Sequence, residues 1–138
     1  MTDALLLEKL VTLANEARAR AYAPYSHYRV GAAIATASGQ LFAGCNVENA
    51  SYGAGVCAER NAIGQMVAAG AAEPTVCVVV TKGPTAASPC GICRQVLSEF
   101  AREMRIVLIA VADTGEELAR RETRLTALLP DAFGGSLL

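Results

Sequence analysis

The chain carries almost no net charge: Lys and Arg together number 12, Asp and Glu 13, and the balance is −1. Nor are the cations pooled, so no segment reads as a track for phosphates. Arg120, Arg121 and Arg124 do cluster, but Glu116, Glu117 and Glu122 are interleaved with them, which is the pattern of a solvated mixed-charge segment. No nucleic-acid partner is expected. Long apolar runs are also missing, none approaching the ~20 residues of a membrane span, and the first residues lack the basic-then-apolar order of a secretory leader. No membrane partner is expected either, and the expected location is the cytoplasm. With neither repeats nor low-complexity linkers, 138 residues at 53% hydrophobic composition suit one domain, 1–138, with a sizeable core.

Five cysteines are an odd number, and in a reducing compartment they favour metal or catalytic use over disulfides. Three of them fall into two short motifs, Cys57-Ala58-Glu59 and Pro89-Cys90-Gly91-Ile92-Cys93. Three thiolates leave the fourth corner of a tetrahedral zinc open, and an open corner is where a catalytic zinc holds water. A closed structural site would need a fourth ligand, for which His27, the only histidine, and Cys45 are the candidates. Cys77 lies in Thr75-Val76-Cys77-Val78-Val79-Val80 and reads as a small buried hydrophobe; Cys45 reads the same way.

Apolar spacing places the motifs on a scaffold. Leu6, Leu10, Leu13 and Ala17 recur at helical intervals, predicting a helix over about 4–21 that starts near Thr2 and Asp3 and is broken by Pro24. Residues 30–37 and 40–47 read as a hairpin closed by the two-residue loop Ser38-Gly39. From Cys57 a buried helix is expected, with Ile63, Met66 and Val67 on its inner face and Gly70 as its cap. A β-branched strand over 76–81 follows, then a helix starting at Pro89 with Cys93, Val96, Leu97 and Phe100 on one face. Residues 106–112 form the next strand, and Asp113-Thr114-Gly115 allows only a tight turn into an antiparallel strand over about 117–123. The fold class is α/β: a mixed five-stranded sheet with helices on both faces.

On that scaffold Cys57 opens one helix and Cys90 and Cys93 open another, where the partial positive charge of a helix N-terminus favours the thiolate. Three thiolates make a zinc site net negative, so a cation beside the sulfurs is needed. Arg60 is placed either there or on the helix surface. Glu59 is the candidate proton shuttle, and a nonligating Glu with a Pro-Cys-x-x-Cys pair matches the signature of zinc deaminases.

Further motifs carry a resemblance over essentially the whole chain. They are Tyr22-Ala23-Pro24-Tyr25-Ser26, Val30-Gly31-Ala32-Ala33, Gly44-Cys45-Asn46-Val47-Glu48-Asn49-Ala50-Ser51-Tyr52-Gly53, Cys57-Ala58-Glu59-Arg60, Pro89-Cys90-Gly91-Ile92-Cys93-Arg94-Gln95 and Leu128-Leu129-Pro130-Asp131-Ala132-Phe133-Gly134. In these the chain resembles the small homotetrameric, zinc-dependent cytidine deaminases of pyrimidine nucleoside salvage. The resemblance implies a three-layer α/β/α fold, one Zn2+ per subunit on Cys57, Cys90 and Cys93, and hydrolysis of cytidine and 2′-deoxycytidine to the uridines and ammonia. It also implies roles at single positions. Glu59 is the catalytic acid and base, Arg60 donates to the zinc thiolates, Asn46 and Glu48 bind the ribose, and the Ala58 backbone amide binds the 2-oxo group. Tyr28 lies beside the base, where related enzymes usually have Phe. Phe133 and Tyr52 belong to a neighbouring subunit's site, Phe133 stacking on the base there. Gly53-Ala54-Gly55-Val56 is unusually small for that wall of the pocket. Blasticidin-type deaminases, polynucleotide cytosine deaminases and an inactive zinc-stabilised interaction module are the rival readings.

Overall fold

The computed structural model describes residues 1–138. Helix α1 spans Asp3–Ala19, and the Thr2 side chain caps it by accepting from the Leu5 N–H at 3.2 Å. The helix ends before Pro24, so the proline is not its breaker; its last turn closes on Arg20. Strands β1 (Gly31–Thr36) and β2 (Leu41–Cys45) pair antiparallel. Their loop has three residues, not two. Thr36 exchanges backbone bonds with Gly39 and Gln40, each at 2.9 Å, and Gly39 takes a φ of +89° that favours glycine.

Helix α2 spans Ala58–Ala68 and stops in a Schellman motif, with the Ala71 N–H on the Met66 carbonyl and Gly70 at φ +74°. Its inner face is Ala58, Glu59, Ala62, Ile63 and Met66. Val67 instead points outward, 52% exposed: it follows Met66 directly, and the 100° turn per residue carries it off the inner face. The helix is thus buried along one side only, with Gly64, Gln65 and Ala68 also exposed.

Strand β3 (Pro74–Lys82) leads to α3 (Gly91–Phe100), which leads to β4 (Arg105–Val111), parallel to β3. Pro89 lies outside α3. Cys90 is the N-cap, in an extended conformation with ψ 169°, so the proline ring precedes the helix rather than sitting in its first turn. Of the predicted inner residues of α3, Cys93 and Leu97 are buried and Val96 packs against the core, but Phe100 is 38% exposed at the helix end. Strand β5 (Glu117–Arg124) returns antiparallel to β4, and a single turn, α4 (Leu125–Leu128), follows. The exposed edge β5 is charged, with Arg120 paired to Glu117 at 2.6 Å and Arg105 bonded to Glu122, a pattern that discourages edge pairing.

The strand order is β2-β1-β3-β4-β5. One apolar cluster joins α1 to one face of the sheet through Leu10, Ala14, Val78, Val80 and Ile109. The other joins α2 and α3 to the opposite face through Ala62, Met66, Leu97, Val79 and Leu108. This is a three-layer sandwich. Both β2 and β3 run antiparallel to β1, and β4 runs parallel to β3. Helices α2 and α3, which link β2 to β3 and β3 to β4, therefore start from the same edge of the sheet.

Two glycines set the spacing between layers. A Cβ on Gly31 would stand 1.8 Å from the Ala14 carbonyl of α1, and one on Gly44 would stand 2.5 Å from Ala62 N and 2.7 Å from the Ala58 carbonyl of α2. Both contacts are with backbone that cannot swing aside. Gly44→Ala should cost about 1–3 kcal/mol of stability through overpacking. Thermal unfolding should show it as a fall of several degrees, and an unchanged midpoint would refute the close packing of β2 on α2.

Candidate metal centre and catalytic site

Cys57 is the N-cap of α2, Cys90 is the N-cap of α3, and Cys93 lies in the first turn of α3. Because the two helices start side by side, the three Sγ atoms come within 4.8 Å of one another, with Cys57 and Cys90 at 3.8 Å. A tetrahedral zinc with Zn–S bonds of about 2.3 Å separates its sulfurs by roughly 3.8 Å, so the three thiols fit that ion. No fourth side chain joins them, neither Cys45 nor His27. Cys45 ends β2 and lines a different hollow of about 410 Å³ between α1 and α2, and His27 sits in the loop before β1. Cys77 is fully buried in the core.

The electrostatics favour a thiolate at Cys57. A hydrogen bond from the Cys93 thiol pulls Cys57 down to about 5, aided by Arg60, and Cys93 is pushed up in exchange, since the pair shares one proton. The Arg60 guanidinium reaches Cys57 Sγ at 3.7 Å and the Gly55 carbonyl at 3.5 Å. The sulfurs in turn raise its own pKa, the hydrogen bond to Cys57 contributing most. Of the two placements open in the sequence, Arg60 takes the one beside the thiols.

Glu59 is 4% exposed and lines a cavity of about 280 Å³ that also includes Cys57 and Cys90. Burial pushes its carboxyl up to about 7, a range suited to taking up and giving back a proton near neutrality. Ala58, Tyr28, Asn46 and Glu48 line the same cavity. Asn46 ties the segment after β2 to the loop before β1, its Oδ1 accepting from Val30 N at 2.8 Å and its Nδ2 donating to the Tyr28 carbonyl at 2.8 Å. Glu48 Oε1 accepts from the Tyr25 and Ser26 backbone N–H groups at 3.0 and 3.1 Å, and Oε2 accepts from Ser26 Oγ. These bonds, that from the Ser26 hydroxyl first, hold the Glu48 carboxyl below the usual carboxylate range.

Two predicted site residues lie elsewhere. Tyr52 is 85% exposed and lines a neighbouring hollow with Tyr25, which it meets edge-on at 6.4 Å. Phe133 is 57% exposed, and its segment is tied to α3 by Gln95 Nε2 on the Phe133 carbonyl at 3.0 Å. Neither reaches the cavity of its own chain. The cavity also contains residues that sequence reasoning missed as site members. The polar ones are Ser26, whose only signal was its place in a matched motif, Ser88 and Thr81; Val30, Val79 and Ala87 are the apolar ones. Thr81 gives no signal at all in the sequence, being one more β-branched residue in a strand.

The family model for the cytidine and deoxycytidylate deaminase zinc-binding region matches residues 6–110. The cytidine deaminase of Sporosarcina psychrophila is 41% identical over 130 residues, covering 92% of this chain and 90% of that protein. Among solved structures, the cytidine deaminase of Burkholderia pseudomallei superposes with a TM-score of 0.83 at 43% identity, covering 96% of this chain and 100% of the other. That of Mycobacterium tuberculosis gives a TM-score of 0.77 at 36% identity, covering 97% and 99%.

Metal analysis tests the ligand set. Cys90→Ala should fall from one zinc per chain to under about a tenth, because two thiolates alone hold the ion weakly; a full equivalent in the purified variant would contradict the assignment.

Proposed function

The chain belongs to the cytidine and deoxycytidylate deaminase zinc-binding family, and on that footing we propose that it hydrolyses cytidine and 2′-deoxycytidine to the corresponding uridines and ammonia. The observation that carries this reading is a cluster of three zinc-spaced thiols at two helix N-termini, of which Cys57 and Cys90 line one cavity with the buried Glu59. Cys57, Cys90 and Cys93 hold the zinc, which when bound supplies an acidified water as nucleophile for C4 of the pyrimidine. Arg60 neutralises part of the charge on the sulfurs. Glu59 takes one proton of the attacking water and passes it to N3, then takes the remaining proton from the new C4 hydroxyl and delivers it to the departing amine. Atoms balance: water enters, ammonia leaves, and Glu59 ends as it began.

Binding follows from the same geometry. Ala58 and Glu59 are the first two residues of α2, where backbone N–H groups have no carbonyl partner in the helix, and these donors suit the 2-oxo group. Asn46 and Glu48 bind the ribose with the hydrogen-bonding capacity their wall contacts leave free. Tyr28 supplies an aromatic wall, with a hydroxyl where relatives usually have none. Phe133 and Tyr52 act in a neighbouring subunit of a homotetramer, a reading supported by their exposure outside their own chain's cavity. No helix is long and apolar enough to cross a membrane. Because the site depends on free thiols, we place the enzyme in a reducing compartment such as the cytoplasm.

Loss of cytidine absorbance on adding the pure protein is the first assay. Glu59→Gln should keep one zinc and lose about 10²–10⁴ in kcat, and near-normal turnover in a zinc-replete variant would sink the shuttle role. For Phe133→Ala we expect a roughly tenfold rise in KM from the lost stacking. Co-assembling it with Glu59→Gln should recover low-KM activity, since the Glu59→Gln chain can lend its Phe133. No recovery in verified mixed assemblies would place Phe133 in its own chain's site.

A further inference from the structure

Thr81 is the penultimate residue of β3, 3% exposed, and its Oγ1 has no hydrogen-bond partner. Only one other buried side-chain polar atom in the chain shares that condition, Nε of Arg60. Every buried position of β3 from Val76 to Val80 is apolar, four of the five being valine. Valine has the shape of threonine and would fill position 81 without leaving a hydroxyl unpaired in the interior, which is a costly arrangement. The hydroxyl therefore stands where stability alone would favour a methyl. It also stands where the strand meets the cavity, for Thr81 lines that cavity together with Val79, Glu59, Cys57 and Cys90.

The side chains of Val79 and Thr81, two apart on one strand, share the sheet face that carries the site. A rotation about χ1, which exchanges Oγ1 with Cγ2 between staggered wells, is enough to present the hydroxyl to whatever fills the inner end of the cavity. Cys57, Cys90 and Glu59 line the same cavity. The reaction proposed above brings to it an exocyclic amine with two N–H groups, and Glu59 is engaged with N3. A buried hydroxyl oxygen with both lone pairs free is suited to accept from one of those N–H groups.

We infer that Thr81 contacts the substrate, its Oγ1 accepting a hydrogen bond from the exocyclic amine at C4 of the bound pyrimidine, and that it sets specificity for amine-bearing rings. The inference rests on the deaminase reading. It adds a residue on β3, behind the two helix starts, to those that touch the reacting edge of the base.

Thr81→Val and Thr81→Ser test it through four measurements: cytidine kinetics, inhibition by the ribonucleoside of 2-pyrimidinone (which has no amine), zinc content, and thermal midpoint. The valine variant should lose about tenfold in kcat/KM for cytidine, the loss of one hydrogen bond. It should keep one zinc, melt no lower than the wild type, and bind the amine-free inhibitor within about threefold of wild type, on the same grounds. Serine should restore most of the cytidine activity. The inference is overturned by a valine variant within twofold of wild type on cytidine, by equal losses for cytidine and the inhibitor, or by a serine variant as poor as valine. A wild-type protein that leaves cytidine intact overturns the deaminase reading and this inference with it, whereas an active wild type with an equally active valine variant overturns this inference alone.

Discussion

Strands β2, β3 and β4 run in one direction, so the two helices that connect them leave the same edge of the sheet and open beside each other. The rest of the site depends on that adjacency. Cys57 and Cys90 are both N-caps, and their sulfurs stand 3.8 Å apart because two helix starts do. The same starts contribute unpaired N–H groups and partial positive charge, which favour a cluster of thiolates. Glu59 lies in the first turn of α2 facing the core, which explains both its burial and its raised pKa. An alternative connection, with α3 on the far face of the sheet, would leave the same motifs in the sequence and no metal centre.

Much of this was legible in the residues. The Cys-x-x-Cys spacing, the Pro before it and the acid beside Cys57 are local patterns whose chemistry does not depend on distant contacts. The helices holding them were equally readable, since apolar spacing reports which face is buried. Errors came where a boundary depends on backbone geometry that spacing does not encode. Pro89 could sit in a first helical turn or before one, and the extended N-cap at Cys90 decided it. Val67 follows the apolar pattern by composition, but the turn of the helix carries it outward. The hairpin loop gained a residue because Thr36 bonds back across it.

Thr81 shows a different limit. A threonine in a β-branched run is indistinguishable from its neighbours by pattern, and its isolation appears only when its surroundings are known. The placement of Phe133 and Tyr52 outside the cavity of their own chain is likewise a three-dimensional fact. Resemblance gave them roles in a neighbouring subunit's site, but spacing and composition alone could not. Arg60 falls between these cases: its neighbours in sequence allowed two positions, and the chain's fold around Gly55 and Cys57 chose one.

The glycines at 31 and 44 lie on adjacent strands, one under α1 and the other under α2. Where Gly44 meets α2, the helix rests on main chain with only a hydrogen atom between, and the contact falls on Ala58 and Ala62, within two turns of Cys57. The hydrogen acts as a shim. Its thickness fixes how far Cys57 stands from the sheet, while Cys90 and Cys93 are gauged from another helix with its own footing. Coordination geometry in this protein is thus a tolerance held at a distance, by a residue that touches neither the metal nor the substrate.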